Sequence, residues 1–344
     1  MNSIKRILIV RTDRIGDVVL SLPIAGILTK YMPNVKVSFL VREYTAPLVR
    51  NCKHVDEVIV LAESKGKPLL GKNIAALHGK YDLCIVAFPN FLTAIILFLS
   101  GIKTRIGSGY RWYSFLFNKK VYEHRKYGER HELEYNVRLL HKINIYEGVT
   151  RANVDFGIHV DPSISEKVHK QLMDLGWDEN HKLVVVHPGS GGSAIDLPIE
   201  KMKTLIENII ANDNVVLVIT GSETEKELCN YFVVSKKIIN TAGMFNLEEL
   251  TAMINKAEIL IANSTGPIHI ASALGKRVIG FYPRFAAVSP KRWGPYTTNS
   301  KIFQPTNCSD ETTCSREQCI KTNCMESIDI NDATSEINKI LLEN

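Results

Sequence analysis

Short runs of apolar, often β-branched residues recur along the chain and alternate with turn residues or with stretches of helical period. Nearly continuous apolar runs predict strands buried on both faces, as in parallel sheets covered by helices. The runs form two series, residues 6–11, 36–41, 55–61 and 82–88, then residues 183–187, 215–220, 238–241, 258–263 and 277–282. Two such series predict an α/β fold with two Rossmann-like, doubly wound domains.

The domain boundaries follow from the chain length and from a polar connection between the two series. A chain of 344 residues suits two domains. Residues 145–165 contain two glycines and a proline among polar residues, which indicates the connection. Ser165 is then the predicted N-cap of the helix before the second series. We expect domains at 1–160 and 161–328, followed by a C-terminal helix at 329–344.

The composition is that of a globular protein, with 45% hydrophobic residues and a formal net charge of +6 at pH 7. That charge indicates a partner only where it is clustered. The charge-free span 83–102 is nearly long enough to cross a bilayer, but Pro89-Asn90 divides it, so we expect buried core. The absence of a secretory apolar region and the odd number of cysteines, seven, predict a cytoplasmic location.

The first candidate for chemistry is Asp17, which follows Gly16 where a strand gives way to a helix. An aspartate at a helix start is ordinarily a stabilising cap. It could instead deprotonate an acceptor hydroxyl, a role that depends on geometry more than on an extreme pKa. Asp13 competes for the same role on residue type alone.

Three segments of the second series have the composition of a phosphate or nucleotide site. Ser190 and Gly191 lie in a Gly/Ser-rich turn after a strand, where a ligand can approach the main chain, or which simply connects strand to helix. Glu223 could accept hydrogen bonds from a ribose diol, whereas Ser222 and Glu225 have the spacing of a capping box.

The third segment, residues 263–269, is the strongest of these candidates. Thr265 and Gly266 lie where the first free N–H groups of a helix would bind a pyrophosphate without a metal, and His269 lies on the same turn. The alternative is an ordinary capped helix with His269 satisfied in the core.

Basic and aromatic residues alternate between positions 103 and 130, and they include Arg111 and Arg125. Such a surface could bind an anionic glycan, a nucleic acid or a membrane, or it could be a solvated loop. A second cluster holds four cysteines, Cys308, Cys314, Cys319 and Cys324, without the short CxxC spacing of structural zinc sites. We expect reduced thiols there, ahead of zinc or a labile disulfide.

Taken together, several segments resemble glycosyltransferase family 9, the ADP-heptose:lipopolysaccharide heptosyltransferases and their relatives. They occur in family order over most of the chain, and the cysteine-rich tail also looks like the family. The matching segments are Arg11-Thr12-Asp13-Arg14-Ile15-Gly16-Asp17-Val18, residues 187–194, Thr220-Gly221-Ser222-Glu223, residues 263–276 and Arg292-Trp293-Gly294-Pro295-Tyr296.

The resemblance implies a GT-B fold, with two facing Rossmann-like domains, an interdomain cleft, acceptor bound mainly by the first domain and nucleotide-sugar by the second. It implies an inverting, metal-independent transfer that uses no cofactor. The sugar would be heptose from ADP-heptose and the acceptor the lipopolysaccharide core or another anionic glycan. No nucleic acid partner is expected, and a peripheral contact with the inner face of the inner membrane would follow.

The resemblance also assigns roles to individual residues. Asp17 takes the place of the catalytic base. The acceptor contacts are expected from charge instead: Arg111 and Arg125 lie in the basic stretch 103–130, where guanidinium groups can grip an anionic glycan, and Arg14 is added to them. Met244 or Phe245 would lie beside the nucleotide base, and Glu223 would bind the ribose. The expected donor-binding residues are Ser190, Gly191, Glu223, Met244, Ser264, Thr265, Gly266 and His269.

Two departures from the family pattern bear on specificity. Ile195-Asp196-Leu197-Pro198 stands where relatives often carry a phosphate-binding Lys, and Ser264 replaces an Asp that touches donor sugar hydroxyls. Another nucleotide-sugar donor or a non-catalytic glycan-binding protein are therefore alternatives. An epimerase of the same architecture is a further rival, whereas a nicotinamide oxidoreductase is disfavoured because the opening motif lacks GxGxxG.

Overall fold

The computed structural model of the chain describes residues 4–308 and 314–343, which divide into two compact units. The first unit runs to Arg125 and includes Glu132–His159. The second unit comprises Lys126–His131 and the chain from Val160 onward. Each unit is built around its own six-stranded sheet.

The sheet of the first unit is entirely parallel, in the order β3-β2-β1-β6-β7-β8. A small antiparallel hairpin, β4 with β5, lies outside it. The chain order of the sheet reverses between β1 and β6, so the carboxyl ends of these two strands form a topological switch point, where α/β folds bind ligands. The strands are β1 (Arg6–Val10), β2 (Lys36–Val41), β3 (Glu57–Val60), β4 (Glu63–Ser64), β5 (Lys67–Pro68), β6 (Leu83–Val86), β7 (Thr104–Ser108) and β8 (Lys119–Val121).

The helices of the first unit connect these strands. They are α1 (Ile15–Val19), α2 (Pro23–Tyr31), α3 (Ala46–Arg50), α4 (Leu70–Leu77), α5 (Phe91–Leu99) and α6 (Glu132–Val137), with 3-10 turns at Glu43–Thr45, Ser114–Leu116, Arg125–Tyr127 and Arg138–Ile143. The side chain of Asn90 caps α5 by accepting from the N–H groups of Leu92 and Thr93, so the charge-free span is a strand followed by a helix. In the described part of the chain, every helix falls short of the length and apolarity that a membrane span requires.

The second unit repeats the same strand order, β11-β10-β9-β12-β13-β14, again entirely parallel. Its switch point lies between β9 and β12, whose residues His187 and Ala262 are paired. All five residues of β12 and the last five of β9 are buried, as continuous apolar runs predict. The strands are β9 (Lys182–His187), β10 (Val215–Ile219), β11 (Ile238–Asn240), β12 (Ile259–Asn263), β13 (Arg277–Phe281) and β14 (Ser300–Phe303).

The helices of the second unit alternate with these strands along the chain. They are α7 (Pro162–Asp174), α8 (Ile199–Ile210), α9 (Lys226–Tyr231), α10 (Leu247–Lys256), α11 (Gly266–Ala273), α12 (Pro290–Trp293), α13 (Arg316–Lys321) and α14 (Ile330–Leu342), with 3-10 turns at Glu223–Glu225, Ala286–Val288 and Cys324–Ser327.

The nine predicted strands are all present, with shifts of up to two residues at their ends. The pattern missed β7, β8 and β14, which contain charged or polar residues, and the two-residue strands of the hairpin. The predicted N-cap at Ser165 was wrong. Helix α7 begins earlier, because Asp161 accepts a hydrogen bond from the Ser163 N–H and Pro162 occupies the first helical position.

Candidate functional site

Arg11 leaves the carboxyl end of β1 and is almost wholly buried, with 2% of its side chain exposed. Its Nε donates to Asp13 at 2.8 Å, and its Nη2 donates to Asp17. Asp17 lies in the first turn of α1, whose N-cap, Arg14, makes no side-chain cap bond. The carboxylate of Asp17 is therefore held by a buried cation and does not cap the helix. The side chain of Asp17 remains 14% exposed.

The other nitrogen of Arg11, Nη1, points to α6. It lies 3.5 Å from the carboxylate of Glu132 and 3.2 Å from Oδ1 of Asn136. Arg125 pairs with the same carboxylate of Glu132 and donates to the same Asn136 oxygen at 3.0 Å. The amide nitrogen of Asn136 donates to Leu20 O, so this buried side chain is fully bonded. The network fixes the position of Arg11, and through it that of Asp17.

The charges of this network shift the pKa values of its members. Burial opposes the charge on Arg11, but the carboxylates of Asp17, Asp13 and Glu132 outweigh that effect and raise its pKa, so it stays protonated. Burial raises the pKa of Asp13 to about 7; the charge of Asp17 adds to this effect, and the charge of Arg11 opposes it. Asp13 thus titrates near neutral pH.

In the second unit, the turns after β9 and β12 are joined by side chains at the switch point. Buried Asn263 accepts from the N–H of Leu197 at 2.9 Å and donates to the carbonyl of Pro188 at 2.5 Å. The hydroxyl of Ser193 lies 3.1 Å from the carbonyl of Ser264. Two segments 70 residues apart in sequence therefore form one surface at the carboxyl edge of the sheet.

The turn after β9 contains the predicted residues Ser190 and Gly191. Ser190 is buried, and Gly191 has a φ of +55°, a left-handed conformation that favours glycine. The guanidinium of Arg316, at the start of α13, donates to the carbonyls of Gly192 (3.2 Å) and Ala194 (3.3 Å). A cation from the tail thus reaches the loop in which the sequence shows no Lys.

Helix α11 begins at the same edge, directly after β12. Thr265 is its N-cap and makes no side-chain cap bond, Gly266 is its first residue and Pro267 occupies its first turn. The N–H groups of a first turn have no intrahelical acceptor, and with the helix dipole they attract anions. Thr265 and Gly266 are partly exposed, so these groups are accessible to a ligand.

His269 lies one turn into α11 and is buried, yet its Nδ1 has no hydrogen-bond partner. The alternative of a satisfied core histidine was wrong. Burial, with a smaller effect of His131, lowers the pKa of His269 to about 3, so the imidazole is neutral at physiological pH. Among the described residues, His187 Nδ1 and Asp196 Oδ1 are also buried without a hydrogen-bond partner. His187 ends β9, and Asp196 lies in the loop between β9 and α8. A buried polar atom without a partner is costly, and here it indicates a binding site.

The turn after β10 separates the two glutamates that the sequence left open. Glu225 forms a capping box with Ser222, as the spacing predicts. Glu223 is exposed, 3.4 Å from Lys226, and its carboxylate packs over Gly243 beside exposed Met244. The structure thus brings Glu223 and Met244 together on one surface of the second unit.

The predicted acceptor residues have different environments in the first unit. Arg14 and Arg111 are exposed, whereas Arg125 belongs to the buried network around Glu132. Arg111 lies beside Trp112, which is 72% exposed, in a surface that also carries Tyr110, Phe115 and Tyr122. Part of this region forms strand β8, a regular element within the stretch that was considered as a solvated loop.

The tail cysteines differ from the prediction of reduced thiols, because Cys319 and Cys324 form a disulfide. Helix α13 ends at Lys321, and Asn323 has a left-handed φ of +46°, which turns the chain back and brings the two Cα atoms to 5.5 Å. Cys308 and Cys314 lie outside this disulfide. Within residues 4–308 and 314–343, no group of three or more His, Cys, Asp or Glu side chains could hold a metal ion.

The structure therefore places Ser190, Gly191, Ser264, Thr265, Gly266 and His269 along the switch point of the second sheet, with Glu223 and Met244 after β10 and β11. Asp17 lies at the switch point of the first sheet. Sequence reasoning missed the roles of Arg11, Glu132 and Asn136 around Asp17 and of Arg316 at the donor loop. Their partners are distant in sequence, so no local motif indicates them.

Comparison with known proteins places this geometry in a family. Residues 71–324 match the sequence model of glycosyltransferase family 9 (heptosyltransferase). A protein of Haemophilus influenzae, whose name suggests a glycosyltransferase and states neither donor nor acceptor, is 31% identical over 85% of this chain and 86% of its own length. Lipopolysaccharide heptosyltransferase 1 of Campylobacter coli is 24% identical over 80% of this chain and 83% of its own.

Solved structures share the fold over nearly the whole chain. A family 9 glycosyltransferase from Veillonella parvula has a TM-score of 0.83 at 19% identity, with 99% of this chain and 98% of that chain covered. The ADP-heptose lipopolysaccharide heptosyltransferase II of E. coli has a TM-score of 0.79 at 17% identity, with 98% and 99% covered. The predicted GT-B class is confirmed. The family match begins at residue 71, so it does not include Asp17.

Proposed function

The chain belongs to glycosyltransferase family 9, and we propose that it transfers heptose from ADP-heptose to a sugar of the lipopolysaccharide core with inversion and without a metal. The observation that carries this proposal is the start of α11, where accessible N–H groups lie beside the unpartnered, neutral His269. Such a site suits a leaving nucleoside diphosphate, which gains negative charge as the glycosidic bond breaks.

The donor would occupy the second unit. Thr265, Gly266, Ser190 and Gly191 would bind the diphosphate, and Arg316 would hold the loop and contribute positive charge beside it. His269 could donate from its unpartnered nitrogen in the appropriate tautomer. Glu223 would accept from the ribose hydroxyls and Met244 would lie beside the base, because these two side chains share one surface. Ser264 would face the donor sugar.

Asp17 would be the general base of the transfer. Its carboxylate takes the proton of the acceptor hydroxyl while that oxygen attacks the anomeric carbon, and the bonding pair of the carbon–oxygen bond leaves with the nucleoside diphosphate. Arg11 keeps the carboxylate of Asp17 in place. Because Asp17 is partly exposed, its carboxylate is accessible to a hydroxyl. Attack opposite to the leaving group inverts the anomeric configuration.

The acceptor would bind the first unit through exposed basic residues. Arg14 follows β1 directly, and Arg111 lies among exposed aromatic side chains. A guanidinium can grip a carboxylate or phosphate bidentately, which suits an anionic core glycan. The same aromatic and basic surface would make peripheral contact with an anionic membrane that presents this acceptor. Arg125 is bound to Glu132, so it would support this surface from within and contribute less than Arg14 and Arg111 to acceptor binding.

The experiment that tests the proposal is the Asp17→Asn variant, assayed with ADP-heptose and a truncated core acceptor. Turnover should fall by a factor on the order of 100 to 10,000, the range for loss of a general base. ADP affinity by calorimetry should stay within about twofold, because Asp17 belongs to the first unit. Turnover equal to the wild type would exclude Asp17 as the base. Inversion is checked by the anomeric configuration of the product, and metal independence by activity in EDTA.

The alternatives predict other results in the same assays. A transferase that uses a different donor, which Ser264 would permit, should be stabilised thermally by another nucleotide-sugar more than by ADP-heptose. A non-catalytic glycan-binding protein should give no heat with any nucleotide. An epimerase should convert the donor when no acceptor is present.

A further inference from the structure

Asp13 and Asp17 bind the same edge of one guanidinium. The Nε of Arg11 donates to Asp13 Oδ1 at 2.8 Å, and Nη2 donates to Asp17 Oδ1. This edge of the guanidinium plane usually holds the two oxygens of a single carboxylate in a bidentate pair. Here each position is taken by an oxygen of a different residue, so two carboxylates lie as close neighbours around one positive charge.

The buried network contains more acid than base. Asp13, Asp17 and Glu132 face Arg11, and the second cation, Arg125, pairs with Glu132. Within these ion pairs of the described residues, three negative charges therefore face two positive ones when all three carboxylates are ionised. The side chains of Asp13 and Asp17 are only 12% and 14% exposed, so water compensates little of that charge. A proton bound to the pair removes the excess.

We propose that Asp13 is a positioning residue for Asp17: the two carboxylates bind the Nε–Nη2 edge of Arg11 side by side, and the negative charge that Asp13 gains on losing its proton makes Asp17 the stronger base. The inference rests on the proposed role of Asp17 in the transfer. The charge of one carboxylate raises the proton affinity of a carboxylate beside it, so the protonation of Asp13 depends on the charge of Asp17.

The surroundings of the pair agree with this assignment. Burial and the charge of Asp17 both raise the pKa of Asp13, against the opposing charge of Arg11, to about 7. The hydroxyl of Tyr44 donates to the backbone carbonyl of Asp13 at 2.6 Å and so fixes the turn without touching the carboxylate. The charged and titratable groups around the pair include Arg11, which bonds both carboxylates, Glu132, which also faces Arg11, Arg125, which binds Glu132, and Tyr44 with its neighbours Arg14 and Arg42.

The pH profile of acceptor kcat/KM tests the proposal. In the wild type the acidic limb should fall near pH 7, where Asp13 loses its proton. In Asp13→Asn this limb should move at least about one pH unit lower, because the amide at position 13 no longer titrates beside Asp17. The plateau should fall about two- to tenfold, since a less basic carboxylate accepts a proton less readily.

A matched variant separates charge from structure in this profile. Tyr44→Phe removes the hydrogen bond to the Asp13 carbonyl and leaves every carboxylate in place, so its acidic limb should coincide with that of the wild type. An acidic limb that is the same in Asp13→Asn and the wild type would overturn the proposal. A Tyr44→Phe limb displaced as far as that of Asp13→Asn would also overturn it, because the shift would then come from the turn.

A second measurement needs no turnover and keeps the pair distinct from the proposed function. When the pKa of an aspartate is higher in the folded than in the unfolded state, its contribution to the free energy of unfolding declines as pH rises from about 4 through about 7. Urea unfolding should therefore show Asp13→Asn gaining stability over the wild type at pH 8 relative to pH 4.5. In an Asp17→Asn background this pH-dependent gain should shrink, because the charge of Asp17 is part of its cause.

The combined outcomes are unambiguous. A gain that is the same with and without Asp17 would overturn the coupling of the two carboxylates. If Asp17→Asn keeps turnover while the gain still depends on Asp17, the pair exists and the proposed role of Asp17 as base is wrong.

Discussion

Arg11 in the first unit and His269 in the second are buried to a similar extent, 2% and 4% exposed, yet their polar atoms have opposite environments. All three guanidinium nitrogens of Arg11 are engaged, by Asp13, Asp17, Glu132, Asn136 and the Ala87 carbonyl. His269 keeps one ring nitrogen without any partner. One site is complete within the protein, whereas the other lacks a hydrogen-bonding group that a ligand could supply.

This difference shows how the two sites would divide the chemistry. A base must be held in a fixed position and orientation before the acceptor arrives, and a network of buried ion pairs provides that rigidity. A leaving-group site must have free donors for charge that develops only during the reaction. We therefore expect substitutions in the first network to affect folding and turnover together, and those in the second site to affect ligand affinity.

The largest expected effect is that of Arg11→Met on stability. Removing one partner of a buried ion pair leaves uncompensated charge, and here three carboxylates lose their common cation. The free energy of unfolding in urea at pH 8 should fall by about 3–5 kcal/mol. Arg111→Met is the matched control, since that exposed arginine of the same unit should change stability by less than about 0.5 kcal/mol. Equal losses would mean that the network is not a rigid support.

The next effect is that of His269→Ala on nucleotide binding. If the free Nδ1 or its tautomeric partner bonds an anionic oxygen, ADP affinity by calorimetry should fall roughly 10- to 100-fold. His181→Ala is the control, because the Nδ1 of His181 also lacks a hydrogen-bond partner, with Asp178 3.7 Å away, but His181 lies at the amino end of β9 rather than at this edge of the sheet. Unchanged affinity in His269→Ala would mean that this nitrogen is not a ligand contact.

His269 also makes a prediction about pH. Its folded pKa, about 3, lies below the ordinary value of 6.5, so the stability that it contributes is present above pH 6.5 and is lost as pH falls toward 3. Unfolding free energy should decline from pH 7 to pH 4.5 less steeply in His269→Gln than in the wild type. Parallel declines would show that another group causes the loss.

The sequence could predict the fold and the second site because their signals are local. The Thr-Gly-Pro start of α11 directly follows the apolar run of β12, and the Gly/Ser-rich turn directly follows that of β9. The strand order then brings these two distant segments together. Asp17 could be chosen from its place at a helix start. The network that holds Asp17 could not be predicted, because Arg11 and Glu132 are 121 positions apart and no local motif contains both.

The same contrast explains the specific errors. The hydrophobic pattern did not predict strand β8, because Lys119 and Lys120 interrupt the apolar alternation. The segment forms a strand by pairing with β7. The sequence favoured reduced thiols over a disulfide in the tail, because the disulfide geometry depends on the left-handed turn at Asn323. Both features depend on backbone partners rather than on residue periodicity.

A smaller effect is expected from Gly243→Ala. A Cβ at this position would overlap the carboxylate of Glu223, so the side chain proposed to bind ribose would have to move. ADP affinity should fall roughly three- to tenfold, and adenine should bind no worse than before. Gly275→Ala is a close control, because Gly275 has a φ of +71°, against +75° for Gly243, and no atom lies near its added Cβ. A similar loss of affinity in both variants would assign the effect to backbone strain rather than to Glu223.

The smallest effect is expected at the acceptor surface, where Arg111 is exposed and makes its contacts in water. Exposed ion pairs contribute little, so Arg111→Ala should raise acceptor KM only about two- to fivefold and leave donor KM unchanged. Arg50→Ala, at an exposed arginine on α3, should change neither. The effect of Arg111→Ala should shrink further at high salt, because exposed charges are screened. Equal rises in both KM values would mean that Arg111 does not contact the acceptor. The exposed aromatic side chains around it would then be the remaining candidates for acceptor binding.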